Sequence, residues 1–466
     1  MNSVLLGVLI YIVAQLLVGV LVSRRIKDEA DYLLAGRRLG LGLATFSFFA
    51  TWFGAETCVS SAGSMYAHGL AGGSAEPFGY GACLLFMGFV FAAPLWRKKL
   101  TTLADLFRTR YSPGVERLAV LLMVPTSTFW AAAQLRAFGQ VLDATAGVGF
   151  ILGTAIATAV AMVYTVSGGL LADVMTDLIQ GIAIVIGLVV MLFAVVPELG
   201  GFAAAWASIE PDRLKFFGGE QSLLKTIEAW SVPICGSVVA QELAARVIAT
   251  RTPEIARRSA VIGGSAYILV GLVPVFLGLV GVKLFPNLDH PEQILPLLAQ
   301  KHLSTFFYIL FVGALVSAIL STVDSTLLAA SALVSHNLLV PLKPAMSERT
   351  KVRLARAGVM VFAVIAFALA LQADSIFELV ENSSSFGTAG IFAVLVFGLF
   401  TGFGGKWSAL ATLTAGLAVW MVCNYGLESE YSFLPSLVAA FAVYALVGLV
   451  ERRKAARKSF SRLEVP

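Results

Sequence analysis

Apolar runs of about 20 residues recur from one end of the chain to the other, each long enough to cross a ~30 Å hydrocarbon core as a helix. The pattern predicts spans at roughly 3–22, 40–68, 74–96, 116–143, 148–166, 172–196, 226–245, 259–283, 304–338, 357–373, 377–401, 405–424 and 432–450. An all-α integral membrane protein of about 13 transmembrane helices follows, with its two ends on opposite sides of the bilayer. The outer loop at about 197–225 contains Pro197, Gly200, Gly201 and Pro211 and is expected to be partly helical. No linker or soluble domain interrupts the pattern, so residues 1–466 read as a single transmembrane domain.

Two segments depart from ordinary spans. The second carries Thr51-Trp52-Phe53-Gly54-Ala55-Glu56-Thr57, with an acid where hydrocarbon is expected. The seventh carries Ser231 to Ser237 with Pro233 and Gly236 inside, followed by Gln241 and Glu242. Pro233 removes a helix donor, and small residues let the backbone open. With the first helix set aside, these are spans one and six of the remainder. Interrupted helices at matching positions of two five-helix halves point to an inverted-repeat transporter with a midplane site. The halves fall at roughly 40–196 and 226–401. The plainer alternative is a pair of kinked structural helices.

The ninth span holds Ala318, Ser321, Thr322, Asp324 and Ser325. A carboxylate at mid-membrane costs about 2.5–3.5 kcal/mol unless something binds it. Spacing of three and four places the Ala318 carbonyl and the Ser321 and Thr322 hydroxyls on one helical face. Carbonyls freed at the break near Gly54 and Thr57 would complete a five-oxygen set. Uncharged oxygens suit a small hard cation, and sodium fits better than a soft metal. Back-bonding of Ser and Thr to the preceding turn is the alternative. Asp324 and Ser325 begin a second oxygen cluster. Asp177, one turn deeper than Asp173 in the sixth span, is a candidate to join them around a second cation or along an inward exit route. Asp173, near the predicted helix start, reads as a cap.

Hydrophobic residues make up 58% of the chain and charged residues 13%, well below the roughly 25% charged of soluble domains. The net charge of +5 is segregated. Of 33 Lys and Arg, only Arg213, Lys215, Lys225, Lys283 and Lys301 fall in loops assigned outside, and Arg136 falls within a span. The remainder, Arg246 among them, fall in loops assigned to the cytoplasm. The basic balance therefore reports topology, with the N-terminus outside and the C-terminus cytoplasmic, rather than a nucleic-acid partner. The N-terminal run lacks a preceding basic residue and a small-residue cleavage site, so it reads as an uncleaved helix. Four cysteines without CxxC spacing indicate neither a disulfide framework nor zinc. Hydrolytic and phosphate-loop motifs are absent, which argues against an enzyme and against ATP drive.

Trp130 and Gln134 lie one turn apart and are placed to face a cavity together, although Trp130 equally fits interface packing. Arg136, inside a span, is expensive unless paired, and Glu56, Glu76 and Glu242 are the available partners.

The chain resembles the sodium/solute symporter family over essentially its full length. The resemblance rests on Asp31 to Arg38, on Gly168-Gly169 through Asp177 and Gln180, and on Ala318 to Ser325. It implies a LeuT-like five-plus-five inverted repeat with extra helices at both ends, and alternating access driven by the sodium gradient. It also implies a sodium site of Gly54 and Thr57 carbonyls with Ala318, Ser321 and Thr322, and a possible second sodium at Asp177 with the hydroxyls after the main motif. The nearest subgroup is similar to the high-affinity choline transporters through Ala50-Thr51-Trp52, Phe129 to Ala133 and Ser317 to Ser325. That similarity implies an aromatic cage for a quaternary amine from Trp52, Trp130 and Tyr80. The chain departs from it at Ala240, where a Trp before Gln241 is expected, and at Glu56, in place of a small residue. Sodium/proline symporters have an acid at the position of Glu56, which keeps an amino acid in view.

The expectation is sodium-coupled import of a small amine or zwitterion, choline-like or an amino acid, across the bacterial inner membrane, with sodium as coupling ion. Trp52, Glu56, Tyr80, Trp130, Gln134 and Gln241 are the candidate solute residues. A monomer suffices. The rival is a non-transporting sensor built on the same fold.

Overall fold

The computed structural model describes residues 26–461 except 55, 74, 217–221, 344 and 374, together with scattered positions before 26. The side chains of residues 56, 72, 73, 144–146, 377 and 455–461 are outside that description. The expected first span, the N-terminus and the Glu56 side chain therefore lie largely or wholly outside the described residues.

Helices account for nearly all of the described chain, and among the described residues the only β-like contact is an isolated parallel bridge between Leu39 and Thr250. Nine helices among the described residues are long and apolar enough to span a membrane, and a tenth arises if the bent pair at Leu223–Gly236 and Gln241–Ala249 is one span. Helix starts fall where hydroxyl side chains cap them. Ser112 accepts from the Val115 amide before Pro113, and Thr252 accepts from the Ile255 amide before Pro253. Each pairs a capping oxygen with a proline that needs no donor. The loop after residue 199 is partly helical, with a short helix at Phe202–Ala207.

One apparent helix, Phe150–Val195, runs for 46 residues. At 1.5 Å per residue that is about 69 Å, twice a bilayer core. Gly169 divides it with φ 53°, ψ −160°. A Cβ there would strike the Tyr32 carbonyl, so only glycine lets the turn seat against the segment before the second span.

Both expected breaks are present. The helix α1 (Leu41–Trp52) ends at Phe53, φ −87°, ψ 62°, and the chain resumes helical winding from Glu56 into Ser61–Gly73. The second broken helix, α2 (Leu223–Ser231), widens through Val232–Gly236 and restarts as α3 (Gln241–Ala249), bent by 47°. The two are clamped together at one end. The Leu39 amide donates to the Ala249 carbonyl, and the Arg251 amide donates to the Leu39 carbonyl.

The centre of the bundle is α4 (Thr305–Ala332), which is buried at every position from Phe311 to Ala332. It packs on Pro113–Ala146, on the two halves of Phe150–Val195 and on α1. A helix surrounded on all sides has no polar face to give to solvent. Its Ser, Thr and Asp side chains must therefore find partners in the neighbouring helices.

Candidate functional site

The break in α1 lies directly against α4. A Cβ built on Gly54 would stand 3.1 Å from Thr322 Oγ1 and 3.0 Å from Gln134 Oε1. Thr322 Oγ1 donates to the Thr51 carbonyl at 3.0 Å and approaches the Ala318 carbonyl at 3.3 Å. Thr51 lies in the last turn of α1, where carbonyls have no helical donor ahead of them. Hard oxygens from Thr51, Ala318 and Thr322 thus meet at the broken end. This donor chemistry fits sodium, and it adds the Thr51 carbonyl to the expected set. The hydroxyl of Thr57 turns away from this point. It lies 2.5 Å from Tyr267 Oη and 3.2 Å from the Trp52 carbonyl, and Tyr267 in turn donates to Glu76 at 2.7 Å.

One turn along α4, the second oxygen cluster is built around a cation that the loop assignment had placed in solvent. Arg246, on α3, is completely buried. Its Nη2 donates to Asp173 Oδ2 at 2.8 Å and to Ser325 Oγ at 2.7 Å, and lies 3.5 Å from Asp177 Oδ2. Its Nε donates to the Ser47 carbonyl at 3.3 Å and its Nη1 to the Glu242 carbonyl at 3.1 Å. Asp177 also accepts from Ser47 Oγ at 2.7 Å and from Ser321 Oγ. Ser325 donates to Asp173 Oδ2 at 2.7 Å. Asp173 is therefore not an exposed cap: it is buried in an ion pair, because the kink at Gly169 turns this stretch inward. Asp324 faces elsewhere and accepts from Thr165 Oγ1 at 2.6 Å. Buried charges persist only when paired and hydrogen-bonded, and α3 brings the guanidinium that Asp173 and Asp177 require.

The aromatic residues converge as the resemblance implies. Trp52 and Trp130 meet edge to face with centroids 4.9 Å apart, and Tyr80 lies 5.6 Å from Trp52 and 6.1 Å from Trp130. All three are buried, so Trp130 is not a lipid-facing anchor. Tyr80 Oη lies 3.1 Å from Ser384 Oγ, which also accepts from Ser237 Oγ at 3.0 Å. The bend at Gly236 permits this approach, because a Cβ there would collide with the Ser384 carbonyl. Beside Trp130 a small cavity of about 10 Å³, room for no more than a water in this conformation, is lined by Thr126, Ser237, Glu242, Ser383 and Thr388. The indole nitrogens of Trp52 and Trp130 are buried without a hydrogen-bond partner.

Gln134 is buried beside Gly54, as expected of a residue one turn from Trp130. Gln241 is not in this cavity. Its Oε1 accepts from the Leu103 amide at 2.8 Å, and it lines a second space with Thr101, Glu242, Arg246 and Ser325. Arg136 donates to the Ala370 carbonyl at 3.0 Å and lies over the Phe150 ring. Sequence reasoning missed Arg246, Ser47, Thr165, Ser127 and Ser384. For Ser384 a signal existed, the Asn382-Ser-Ser-Ser run inside an apolar span. For Arg246 the only hint was its position on the polar side of a broken helix.

A sequence model of the sodium:solute symporter family matches residues 32–416. The high-affinity choline transporter 1 of Caenorhabditis elegans is 26% identical over 384 residues, covering 77% of this chain and 66% of that protein. The chain thus spans just under two thirds of that relative's length. The osmoregulated proline transporter OpuE of Bacillus subtilis is 27% identical over 492 residues, covering 99% of this chain and 98% of that protein. Among solved structures, a Na+-coupled sialic acid symporter in a substrate-bound outward-open state superposes with a TM-score of 0.84 at 17% identity, covering 96% of each chain. Mhp1, a nucleobase-cation-symport-1 family transporter, superposes at 0.64 and 16% identity, covering 88% of this chain and 92% of that one. These likenesses show a shared fold, and the match across residues 32–416 shows more: the chain belongs to the sodium:solute symporter family.

Proposed function

We propose that this protein is a sodium-coupled secondary active symporter that imports a small amine-bearing or zwitterionic solute across the plasma membrane. The thirteen-helix topology, the inverted repeats at roughly 40–196 and 226–401, the outside N-terminus and the cytoplasmic C-terminus belong to this reading, as does transport by a monomer. The observation that carries it is the contact of Gly54, at the break of α1, with Thr322 on α4. Oxygens from two different helices meet there, and none of them is a carboxylate. Gly54, Thr57, Ala318, Ser321 and Thr322 remain the proposed sodium ligands, with the Thr51 carbonyl added.

A sodium ion held there would add positive charge beside the Thr51 and Ala318 carbonyls, which now accept from Thr322 Oγ1. Thr322 and Ala318 keep the broken end of α1 against α4, which holds Trp52 in place under Trp130. Because Trp52 and Thr51 are neighbours, ordering the break orders the aromatic wall. The two sites are then linked, and by reciprocity each ligand raises the affinity for the other. The choline and proline transporters among the relatives support an amine or an amino acid as the solute class. Trp52, Tyr80, Trp130, Gln134 and Glu56 are its proposed contacts.

The test is uptake of labelled choline and proline into proteoliposomes under an inward sodium gradient, with potassium as control. Thr322→Ala should raise the sodium concentration for half-maximal uptake about tenfold or more, since it removes an oxygen from a buried charged site. Unchanged sodium dependence in that variant would sink the assignment.

A further inference from the structure

Glu242 is a buried acid whose carboxylate makes no ion pair among the described residues. It is the second residue of α3, 3% exposed, and it lines the same closed cavity as Trp130. Ser127 Oγ lies 3.3 Å from its Oε2, and the residue's own amide is its other donor. Arg246, one turn along the same helix, reaches the Glu242 backbone carbonyl and not its carboxylate. The guanidinium is committed instead to Asp173, Asp177 and Ser325. Among the described residues no ion pair involves Glu242.

A helix N-terminus favours an acid by about 0.3–1 kcal/mol, which falls well short of the several kcal/mol needed to strip a carboxylate of water. A second polar group in the cavity is also unsatisfied. Trp130 Nε1 is buried and has no acceptor, and Trp52 Nε1 beside it is in the same condition. A buried donor without a partner costs about 1–3 kcal/mol. Among the described residues, the Glu242 carboxylate therefore has no ion-pair partner and the Trp130 and Trp52 indoles have no acceptor.

We propose that Glu242 is the receptor for the ammonium group of a zwitterionic solute, whose carboxylate accepts from the indole of Trp130. The proposal rests on the symporter reading and narrows its solute class. Ammonium and carboxylate together answer both deficits, and the Trp130 face adds cation–π attraction. A quaternary amine without a carboxylate leaves the indole donors orphaned. A nitrogen-free acid leaves Glu242 uncompensated and adds a second negative charge.

The experiment measures ligand binding to the purified full chain by thermal shift and calorimetry, in sodium and again in potassium. The probes are L-proline, glycine betaine, choline and butyrate. The zwitterions should bind in sodium, and choline and butyrate should bind weakly or not at all. Glu242→Gln should weaken zwitterion binding about 100-fold, with Glu242→Asp intermediate. Trp130→Phe should cost about tenfold for zwitterions and little for choline. Binding of labelled sodium to each variant reports whether it is folded. Unaltered zwitterion affinity in Glu242→Gln, choline or butyrate binding as tightly as the zwitterions, or binding by none of the four overturns the proposal. Zwitterion binding that ignores sodium yet is lost in Glu242→Gln would leave Glu242 assigned and overturn sodium coupling instead.

Discussion

Glu242 and Arg246 stand one turn apart on the same nine-residue helix, yet they belong to opposite kinds of interior. Around Arg246, side chains from α1, α3, α4 and the Phe150–Val195 segment bond one another, with Asp173 Oδ1 the one atom of the group left without a partner among the described residues. The guanidinium alone reaches Ser47, Asp173, Asp177, Ser325 and the Glu242 carbonyl. Around Glu242 and Trp130, the acid lacks a counter-charge and the indoles lack acceptors. A densely bonded polar cluster specifies how helices pack. A sparsely bonded one of similar burial costs free energy, which a ligand with complementary groups can return. The contrast separates the part of the core that holds the breaks in register from the part proposed to receive solute.

The most severe way to break this comparison is Arg246→Met. It would leave Asp173 and Asp177 buried without their cation, and a loss of about 3–5 kcal/mol is expected. Thermal unfolding in detergent should show a large drop, partly recovered by adding Asp173→Asn. A variant that melts like the parent would mean that the cluster is neutralised by other means.

A smaller effect is expected at Gly54→Ala. The new methyl would press on Gln134 Oε1 and Thr322 Oγ1, and overpacking of this kind costs about 1–3 kcal/mol. Because the strain falls on the sodium-proposed oxygens, half-saturation by sodium should rise along with a modest fall in melting temperature. A fall in melting temperature with unchanged half-saturation would assign Gly54 to packing alone.

The smallest effect is expected at Ser384→Ala, which removes the hydroxyl shared by Tyr80 and Ser237. A loss of about 0.5–1.5 kcal/mol should appear in thermal unfolding. Solute affinity should fall by less than in Trp130→Phe. A larger loss of affinity than of stability would move Ser384 from the wall of the cavity into contact with solute.

Much of the architecture is legible in the chain itself. Twenty-residue apolar runs need no tertiary information, since the bilayer sets both their length and their composition. The breaks near Gly54 and Pro233 are equally local, because proline and small residues act on their own backbone. The face formed by Ala318, Ser321 and Thr322 follows from helical periodicity alone. The aromatic group of Trp52, Tyr80 and Trp130 came through resemblance, as no spacing connects residues so far apart in sequence.

Pairings across helices were not legible. Asp173 read as a cap because a helix start favours an acid, and only the kink at Gly169 shows it turned toward Arg246. Arg246 read as a loop cation because its charge was counted without the packing that surrounds it. Gln241 read as a solute contact, but the Leu103 amide claims its carbonyl oxygen. Sequence by itself determined that this chain spans a membrane, where two of its helices open, and which face of a third carries hard oxygens. Tertiary structure alone decided which buried charges pair with one another and which make no ion pair, because pairing depends on approach within about 3 Å between helices that sequence spacing does not relate.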